Sequence, residues 1–239
     1  MLSIIIPALN EARGIAHALD ALGLLRARGA EVILVDGGSH DGTLQAAAAG
    51  ADKLICSPRG RALQMNAGAA AASGEVLLFL HADTRLPEDA DRLIAEALSG
   101  DAQWGRFDVR IEGRHPMLRV VAAMMNLRSR LTGMATGDQA LFMRRETFLH
   151  VGGFPPLPLM EDIAMSRRLR QCSRPACLRE RVLTSGRRWE RHGVWRTILL
   201  MWWLRLRFFF GADAVALARL YRPQTDGGPD HQRSARERG

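Results

Sequence analysis

Residues 31–43 read EVILVDGGSHDGT, an apolar run that ends abruptly in polar residues and glycines. After Glu31, residues 32–35 are apolar and rich in β-branched residues, so Glu31–Val35 is predicted to be a buried strand. Asp36 ends the strand, two glycines permit a tight turn, and Asp41 can cap the helix that follows. The stretch therefore predicts a strand–turn–helix unit with a carboxylate at the carboxyl end of its strand.

The same unit recurs through the first hundred residues. Apolar runs predict further strands at Leu2–Ile6, Lys53–Cys56 and Glu75–Leu80, and helical spacing predicts helices over 10–28, 43–49, 61–72 and 88–98. We expect Pro7 to end the first strand and Asn10 to cap the first helix. The alternation predicts an α/β fold, a mostly parallel central sheet with helices on both faces, whose ligands bind at the carboxyl ends of the strands.

The alternation stops near Gln103. The later predicted elements are strands at Trp104–Ile111 and Ala140–Met143, helices at Met117–Leu131 and Met160–Arg170, and a long amphipathic helix at Val194–Leu220, with Gly211 as its break point. We therefore expect one domain over residues 1–185, a C-terminal amphipathic helical extension over residues 186–222 and a disordered tail over residues 223–239.

Composition and charge restrict the class of protein without identifying a partner. The net charge is +8, and Lys53 is the only lysine. Arginine excess fits nucleic acid, an anionic membrane surface or a phosphate-bearing substrate, and it equally fits coding bias. The cysteines Cys56, Cys172 and Cys177 form no Cys-x-x-Cys pair, and no basic segment precedes Leu2, so we expect a cytoplasmic protein with reduced thiols and no signal peptide.

Two nucleotide-binding fingerprints do not occur in the sequence. No Gly-x-Gly-x-x-Gly follows the first strand, and there is no Gly-x-x-x-x-Gly-Lys phosphate loop. Asp36 can instead accept hydrogen bonds from a ribose hydroxyl or a base N–H. Arg59 and Arg61, beside Gly60 at a helix start, predict either an anion site or a solvated basic turn.

His81 and Asp83 follow the strand that ends at Leu80. Pro87 provides a separate start for the next helix, so Asp83 is not needed as its cap. An imidazole and a carboxylate two residues apart can point the same way and suit a magnesium or manganese ion that holds a diphosphate. The alternative interpretation of Asp83 is a polar cap at the strand end.

Four segments in order, IIIPALNE (4–11), VDGGSHDGT (35–43), GEVLLFLHADT (74–84) and FMRRETFLHVGGFPPLPLMEDIAMSRRLR (142–170), resemble a family 2 glycosyltransferase of the GT-A fold. The resemblance runs from about Leu2 to Arg170. A further segment, RGRALQMNAGA (59–69), resembles a subgroup of these enzymes.

The resemblance implies a site for a nucleotide-diphospho-sugar. The residues expected to bind this donor are Pro7, Ala8, Asn10, Glu11, Asp36, Gly38, Arg61, Gln64, His81, Ala82, Asp83, Gly137, Asp138 and Arg188. The family's Asp-x-Asp metal motif corresponds to residues 81–83, so Asp83 and His81 are the expected ligands of a manganese or magnesium cofactor. Histidine replaces the first aspartate of that motif, which leaves the choice of metal open.

The resemblance also implies that Asp162 is the catalytic base, with Glu161 beside it. An acceptor hydroxyl needs a carboxylate to take its proton, and a departing nucleoside diphosphate needs a cation to absorb charge. One carboxylate and one metal on opposite sides of the sugar imply inversion. The alternative interpretation is an acidic pair favoured by a helix dipole.

The segment around Trp195, Trp202 and Trp203 is the other unusual feature. Its longest apolar run, Ile198–Leu204, is far shorter than the roughly 20 residues that span a bilayer. Tryptophans among arginines suit a membrane interface, and they equally suit a helix packed on the catalytic domain or on a second subunit.

The resemblance implies an inverting, metal-dependent glycosyltransferase. Its expected partners are a nucleotide-diphospho-sugar and a hydroxyl acceptor, with a lipid-linked acceptor and peripheral contact with the inner face of the membrane as candidates, and no nucleic acid. The alternative is an inactive basic protein that binds nucleotide, membrane or polyanion on the same fold. Asp36, Asp83 and Asp162 together argue against that alternative, because a pure binder needs none of them.

Overall fold

The computed structural model describes residues 1–221, apart from the side chains of Arg188, Arg191 and His192. The strands of this part of the chain are β1 (Leu2–Ala8), β2 (Glu31–Asp36), β3 (Lys53–Cys56), β4 (Val76–Phe79), β5 (Thr84–Arg85), β6 (Trp104–Glu112), β7 (Leu141–Arg144) and β8 (Ala176–Ser185). The helices are α1 (Ile15–Asp20), α2 (Gly23–Ala27), α3 (Thr43–Ala47), α4 (Arg61–Ala71), α5 (Ala90–Ala97), α6 (Met117–Thr132), α7 (Arg145–His150), α8 (Glu161–Cys172), α9 (Arg187–His192), α10 (Val194–Phe209) and α11 (Ala214–Tyr221).

The strands form one sheet in the order β3-β2-β1-β4-β7-β6-β8-β5. The first four strands in this order are parallel, as are β6 and β8. Strand β7 runs antiparallel between β4 and β6, and the short β5 is antiparallel to β8. The prediction of a mostly parallel central sheet is confirmed, with an antiparallel insertion that the first hundred residues do not indicate.

Helices cover both faces of the sheet, as predicted. Ile4 and Ile6 belong to a buried cluster that includes residues of α1, α5 and α6. Ile5, between them, belongs to a second cluster that includes residues of α4 and α8. Successive strand residues point to opposite faces, so a continuous run of isoleucines is what a doubly covered strand requires.

Pro7 does not end the first strand, contrary to the prediction. Strand β1 continues to Ala8, with Pro7 opposite Val35. The carbonyl oxygen of Ile5 accepts a hydrogen bond from Leu80 N, so Ile5 and, two residues later, Pro7 face the β4 side of the strand. Pairing with β4 stops at Ile5, so the missing N–H of Pro7 costs no ladder hydrogen bond.

The predicted helix over residues 10–28 is wrong in its bounds. Asn10 lies in the left-handed region at φ 56° and does not cap a helix. Its Oδ1 accepts a hydrogen bond from His40 N, and its own N–H donates to Ser39 Oγ. Asn10 therefore ties the loop after β1 to the loop after β2, and Glu11 lies in this loop, before the first helix.

The C-terminal helices break at Gly211, as predicted. Gly211 adopts φ 83°, and both carboxylate oxygens of Asp213 accept backbone hydrogen bonds from the first turn of α11. A small apolar cluster packs these helices against the segment that precedes α8, through Leu159, Met160, Leu204, Leu217 and Ala218. Among the described helices, none combines the length and apolar character needed to cross a bilayer. The tail predicted to be disordered, residues 223–239, lies outside the described residues.

Candidate functional site

Asp36 shapes the loop at the carboxyl end of β2. Its side chain is buried, and its carboxylate accepts hydrogen bonds from Gly38 N at 3.0 Å, Ser39 N at 2.9 Å and Ser39 Oγ at 2.5 Å. Gly38 adopts φ 88°, a conformation that favours glycine. Asp36 was expected to bind a nucleotide directly. In the structure its carboxylate instead stabilises the Gly38–Ser39 turn, which borders the predicted nucleotide site.

Gln64 lies beneath the same loop. Its Nε2 donates hydrogen bonds to the carbonyl oxygens of Ala8 and Val35, both at 2.8 Å, and its side chain is buried. Both amide protons are occupied by backbone, so Gln64 supports the predicted nucleotide site by joining the ends of β1 and β2. A Cβ on Gly37 would lie 3.0 Å from Gln64 Cδ, so a larger residue at position 37 would require the Gln64 side chain to shift.

Glu11 and Asp83 face one guanidinium group. Arg187 Nη2 lies 3.7 Å from Glu11 Oε2 and 4.0 Å from Asp83 Oδ2. Burial and the neighbouring charge of Asp83 raise the pKa of Glu11, although Arg187 opposes them. The two carboxylates therefore create a place for a positive charge.

Strand β8 brings Arg187 to this place. Ser185, the last residue of β8, donates its N–H to the carbonyl oxygen of Asp83, and α9 begins at Arg187. The sequence pointed to the neighbouring Arg188, whose side chain lies outside the described residues. The two adjacent arginines in the sequence are enough to predict that this segment contributes a positive charge to the site. They do not show which of the two side chains faces the carboxylates.

His81 contacts Asp138. The Nδ1 atom of His81 lies 3.2 Å from Asp138 Oδ1, and Nε2 is buried without a hydrogen-bond partner among the described residues. That second nitrogen lies against Gly137, where an added Cβ would come within 2.4 Å of it. Burial would raise the pKa of Asp138, but the hydrogen bond and charge of His81 outweigh it and lower this pKa.

The acidic pair at the start of α8 divides into two environments. Glu161 is 2% exposed, and its Oε1 accepts a hydrogen bond from Arg61 Nη1 at 3.0 Å. Burial raises the pKa of Glu161 in spite of this partner. The Oδ2 atom of Asp162 accepts a hydrogen bond from Gly137 N at 2.9 Å, and its Oδ1 accepts one from Ile163 N at 2.8 Å.

The Gly137–Asp138 turn joins two motifs that are far apart in sequence. Asp138 contacts His81 at the end of β4, and the N–H of Gly137 holds Asp162 at the start of α8. Residues 81, 137–138 and 161–162 thus meet at one edge of the sheet. Arg61, expected to face the nucleotide, reaches the same place by its ion pair with Glu161.

The side chains present fit a divalent cation only in part. No group of three His, Cys, Asp or Glu side chains within residues 1–221 is arranged to hold a metal ion, as far as those side chains are described. Both ring nitrogens of His81 are turned to Asp138 and Gly137, so this conformation does not present His81 as a ligand. Asp83 and Glu11 are suitable, because magnesium is commonly held by one or two carboxylates plus substrate phosphates.

Two arginines near Asp162 were not anticipated from the sequence. Arg128 on α6 and Arg205 on α10 have buried guanidinium nitrogens that lack hydrogen-bond partners among the described residues. A surface hollow of about 740 Å³ between α7 and α8 is lined by other residues, including Glu146, His150 and Arg168, and none of the candidate side chains contributes to it.

Solved structures with similar folds are glycosyltransferases. TarS 1–349 from S. aureus has a TM-score of 0.63 and 19% identity, with 77% of this chain and 60% of that chain covered. The mannosyltransferase PcManGT from Pyrobaculum calidifontis, in complex with GDP-Man and Mn²⁺, has a TM-score of 0.58 and 21% identity, with 76% and 56% covered. Glucosyl-3-phosphoglycerate synthase from Mycobacterium tuberculosis, in complex with Mg²⁺ and UDP, has a TM-score of 0.58 and 21% identity, with 77% and 70% covered.

This chain therefore spans about 60% of the length of the TarS fragment. At these identities the likeness shows the fold alone, which is the GT-A fold expected from the sequence. No curated protein sequence matches the chain significantly. The family model described as Glycosyl transferase family 2 matches residues 3–149, more than half of the chain, and the protein therefore belongs to glycosyl transferase family 2.

Proposed function

We propose that the protein transfers a sugar from a nucleotide-diphospho-sugar to an acceptor hydroxyl with inversion at the anomeric carbon. The observation that carries this proposal is the meeting of the β4 end with the start of α8, through His81–Asp138 and Gly137–Asp162. Structural neighbours solved with UDP, UDP-GlcNAc and GDP-Man support a nucleotide-sugar donor.

In this proposal Asp162 is the base. The acceptor oxygen forms a bond to the anomeric carbon while the bond from that carbon to the diphosphate oxygen breaks. The acceptor proton goes to the Asp162 carboxylate, and the nucleoside diphosphate leaves with the electron pair. The hydrogen bond from Gly137 N fixes the orientation of the Asp162 carboxylate. Attack from the side opposite the leaving group inverts the anomeric carbon.

Asp83 and Glu11 act on the leaving group. Their carboxylates would hold a manganese or magnesium ion, which when bound supplies positive charge to the departing diphosphate. Arg187 lies within 4.0 Å of both carboxylates and adds a positive charge at the same place. The Asp36 loop and the ends of β1 and β2 bind the nucleoside.

The test is calorimetric titration of uridine and guanosine diphosphates, with and without manganese, on wild type and Asp83→Ala. The proposal expects manganese-dependent binding of one nucleotide, with at least about a tenfold loss in the mutant because a carboxylate ligand of the metal is removed. Glu88→Ala, an acidic residue of the following loop, is the matched control. If no nucleotide binds under either condition, the protein is instead an inactive member of its fold.

A second part of the proposal concerns the acceptor. Helices α6, α10 and α11, together with Phe210 directly after α10, expose many large apolar side chains. The side chains on the helices are Val120, Met124, Leu127, Leu131, Trp195, Leu199, Trp202, Trp203, Leu206, Phe209, Val215 and Leu220. Arg207 lies over the ring of Trp203, 5.2 Å from its centroid. Apolar and aromatic side chains beside arginines suit a membrane interface, so a lipid-linked acceptor and a place at the cytoplasmic face of the membrane belong to the proposal.

A further inference from the structure

Three guanidinium nitrogens, on Arg128 and Arg205, are buried without a hydrogen-bond partner among the described residues. Helices α6 and α10 pack against each other, and Arg128 Nε and Nη2 and Arg205 Nε are inaccessible to water. No described residue accepts a hydrogen bond from these nitrogens. A buried donor left unpaired is costly, and a buried charge more so, and these nitrogens can therefore take acceptors from a bound molecule.

The charge of Arg205 also disfavours the charge of Arg128. Burial and the charge of Arg205 lower the pKa of Arg128 to about 10, against the opposing effects of Asp162 and Asp138. Burial likewise lowers the pKa of Arg205, although Asp162 and Asp138 oppose it. An oxyanion between the two groups would relieve both the repulsion and the desolvation.

The pair lies on the side of the base, away from the carboxylates that face Arg187. Leu204, adjacent to Arg205, is fully buried against Leu159 and Met160, the residues that lead into Glu161. Asp162 and Asp138 are the acidic groups that act on both arginines. Glu11, by contrast, is influenced by Arg187, Asp83 and Asp41. The diphosphate of a donor therefore has its own cation at Arg187.

We propose that Arg128 and Arg205 bind a phosphate monoester of the acceptor, placing the attacking hydroxyl beside Asp162. This inference rests on the proposed transferase function and names its acceptor class. Guanidinium groups bind phosphate through two parallel N–H donors, and the unpaired nitrogens of Arg128 provide such a pair. A soluble phosphorylated sugar or acid and a phosphate-headed lipid share this chemistry.

The experiment uses inorganic phosphate as the probe, in calorimetric titration and thermal unfolding. The variants are Arg128→Gln and Arg205→Gln, with Arg119→Gln and Arg196→Gln as controls that remove the same charge from the exposed sides of the same helices. We expect phosphate to raise the Tm of the wild type, a result that needs no variant to fold. We call Arg128→Gln and Arg205→Gln the inner variants. The phosphate association constant should fall about tenfold or more in each inner variant and stay within about twofold of the wild type in the controls.

Vesicles of phosphatidylcholine with and without phosphatidic acid distinguish the two sources of phosphate. Weaker binding of the inner variants than of the controls to phosphatidic acid vesicles assigns the pocket to a lipid acceptor. Loss of inorganic phosphate binding with unchanged vesicle binding assigns it to a soluble acceptor. Both results support the pocket.

Titration of uridine and guanosine diphosphates on the same variants separates this inference from the proposed function. Nucleotide binding that is unchanged in the inner variants is the expected result. If nucleotide binds but phosphate neither binds nor raises the Tm, the pocket is wrong and the transferase proposal stands. If the inner variants lose nucleotide affinity, the arginines hold the donor and the acceptor role is overturned. If no nucleotide binds at all, the transferase proposal is wrong. The acceptor role of Arg128 and Arg205, which rests on it, is then wrong as well.

Discussion

At the scale of single residues, Glu161 and Asp162 are neighbours in sequence with different surroundings. Glu161 is buried against Arg61, whereas Asp162 is half-buried and held by the N–H of Gly137. A helix dipole alone would treat the two carboxylates alike. Because Asp162 is the more accessible carboxylate, we propose it, rather than Glu161, as the base.

We expect Asp162→Asn to lower sugar transfer by about 10²–10⁴-fold, because the amide cannot accept the proton of the attacking hydroxyl. Binding of the nucleoside diphosphate should be unchanged. Glu146→Gln is the control, since Glu146 is an exposed acidic residue in the first turn of α7. Initial rates and calorimetry measure the two effects, and full activity in Asp162→Asn would contradict the assignment.

Gly137 allows the close approach of His81. We expect Gly137→Ala to destabilise the protein by about 1–3 kcal/mol, because the new Cβ would meet His81 Nε2 at 2.4 Å. Combining it with His81→Ala should cost less than the sum of the single changes, by about 0.5–3 kcal/mol, because the clash is removed. Urea unfolding of the wild type, the two single variants and the double variant measures this coupling. Gly100→Ala, where nothing lies within 4 Å, is the control, and additive costs would contradict the contact.

Several site residues are predictable from the sequence and several are not. The strand-end rule finds Asp36, His81 and Asp83, because a parallel sheet brings those ends together. The pairing of His81 with Asp138 spans 57 residues, and no local pattern records it. Arg128 and Arg205 were missed for a related reason, since each lies in a helix where an arginine ordinarily reads as solvated.

At the scale of elements, helix α4 joins the ends of β1 and β2 through the hydrogen bonds of Gln64, beneath the loop that follows Asp36. We expect Gln64→Leu to lower the free energy of unfolding by about 1–3 kcal/mol, because the carbonyl oxygens of Ala8 and Val35 each lose a buried hydrogen bond from the Gln64 amide. Nucleotide affinity should fall as well, because the ends of β1 and β2 lose their tie. Gln45→Leu on the exposed side of α3 is the control, and equal effects of the two changes would contradict this role.

Glu31 joins the other ends of the strands. It accepts hydrogen bonds from Ser3 of β1 and from Ser73 before β4, and it forms an ion pair with Lys53 of β3. Burial by itself would raise the pKa of Glu31, but these partners outweigh it and lower the pKa to about 2.

Because the pKa is lowered on folding, the stabilisation by Glu31 is present above its unfolded pKa and is lost as the pH falls. We expect Glu31→Gln to lower the free energy of unfolding by about 1–2 kcal/mol at pH 7, because solvent screens a partly exposed ion pair. This cost should shrink as the pH falls from about 4.5 towards 2. Denaturant unfolding across this range measures it, with the exposed Glu75→Gln as control. A cost independent of pH would show that the carboxylate charge is not responsible.

Most elements follow from apolar periodicity, and the exceptions have physical causes. Strand β8 was not predicted, because its centre, Arg179–Arg181, is charged and exposed although it pairs with β6. Pro7 was expected to end β1, but it faces the side where β4 has already stopped. Which strands pair, and where the pairing on each side of a strand stops, depends on the assembled sheet. These features are therefore not visible in the local sequence.

At the scale of the whole molecule, exposed apolar side chains gather on α6, α10 and α11. We expect Trp202→Glu to weaken binding to phosphatidylcholine–phosphatidylglycerol vesicles by about tenfold or more, because a charge replaces an apolar side chain at the interface. Leu24→Glu on α2, a change at a similarly exposed residue, should have little effect. Sedimentation with vesicles measures both, and equal losses would contradict a specific membrane face.

Leu159 and Met160 are held by the C-terminal helices, and Met160 enters α8 in the left-handed conformation at φ 65°. The start of α8 is therefore held in position by contacts with α10 and α11, which lie outside the proposed nucleotide site. A compound that wedges between α10 and Leu159 would displace Asp162 without touching the donor. Such a compound would inhibit by lowering kcat while leaving the KM for the sugar nucleotide unchanged, so that raising the donor concentration would not restore the rate.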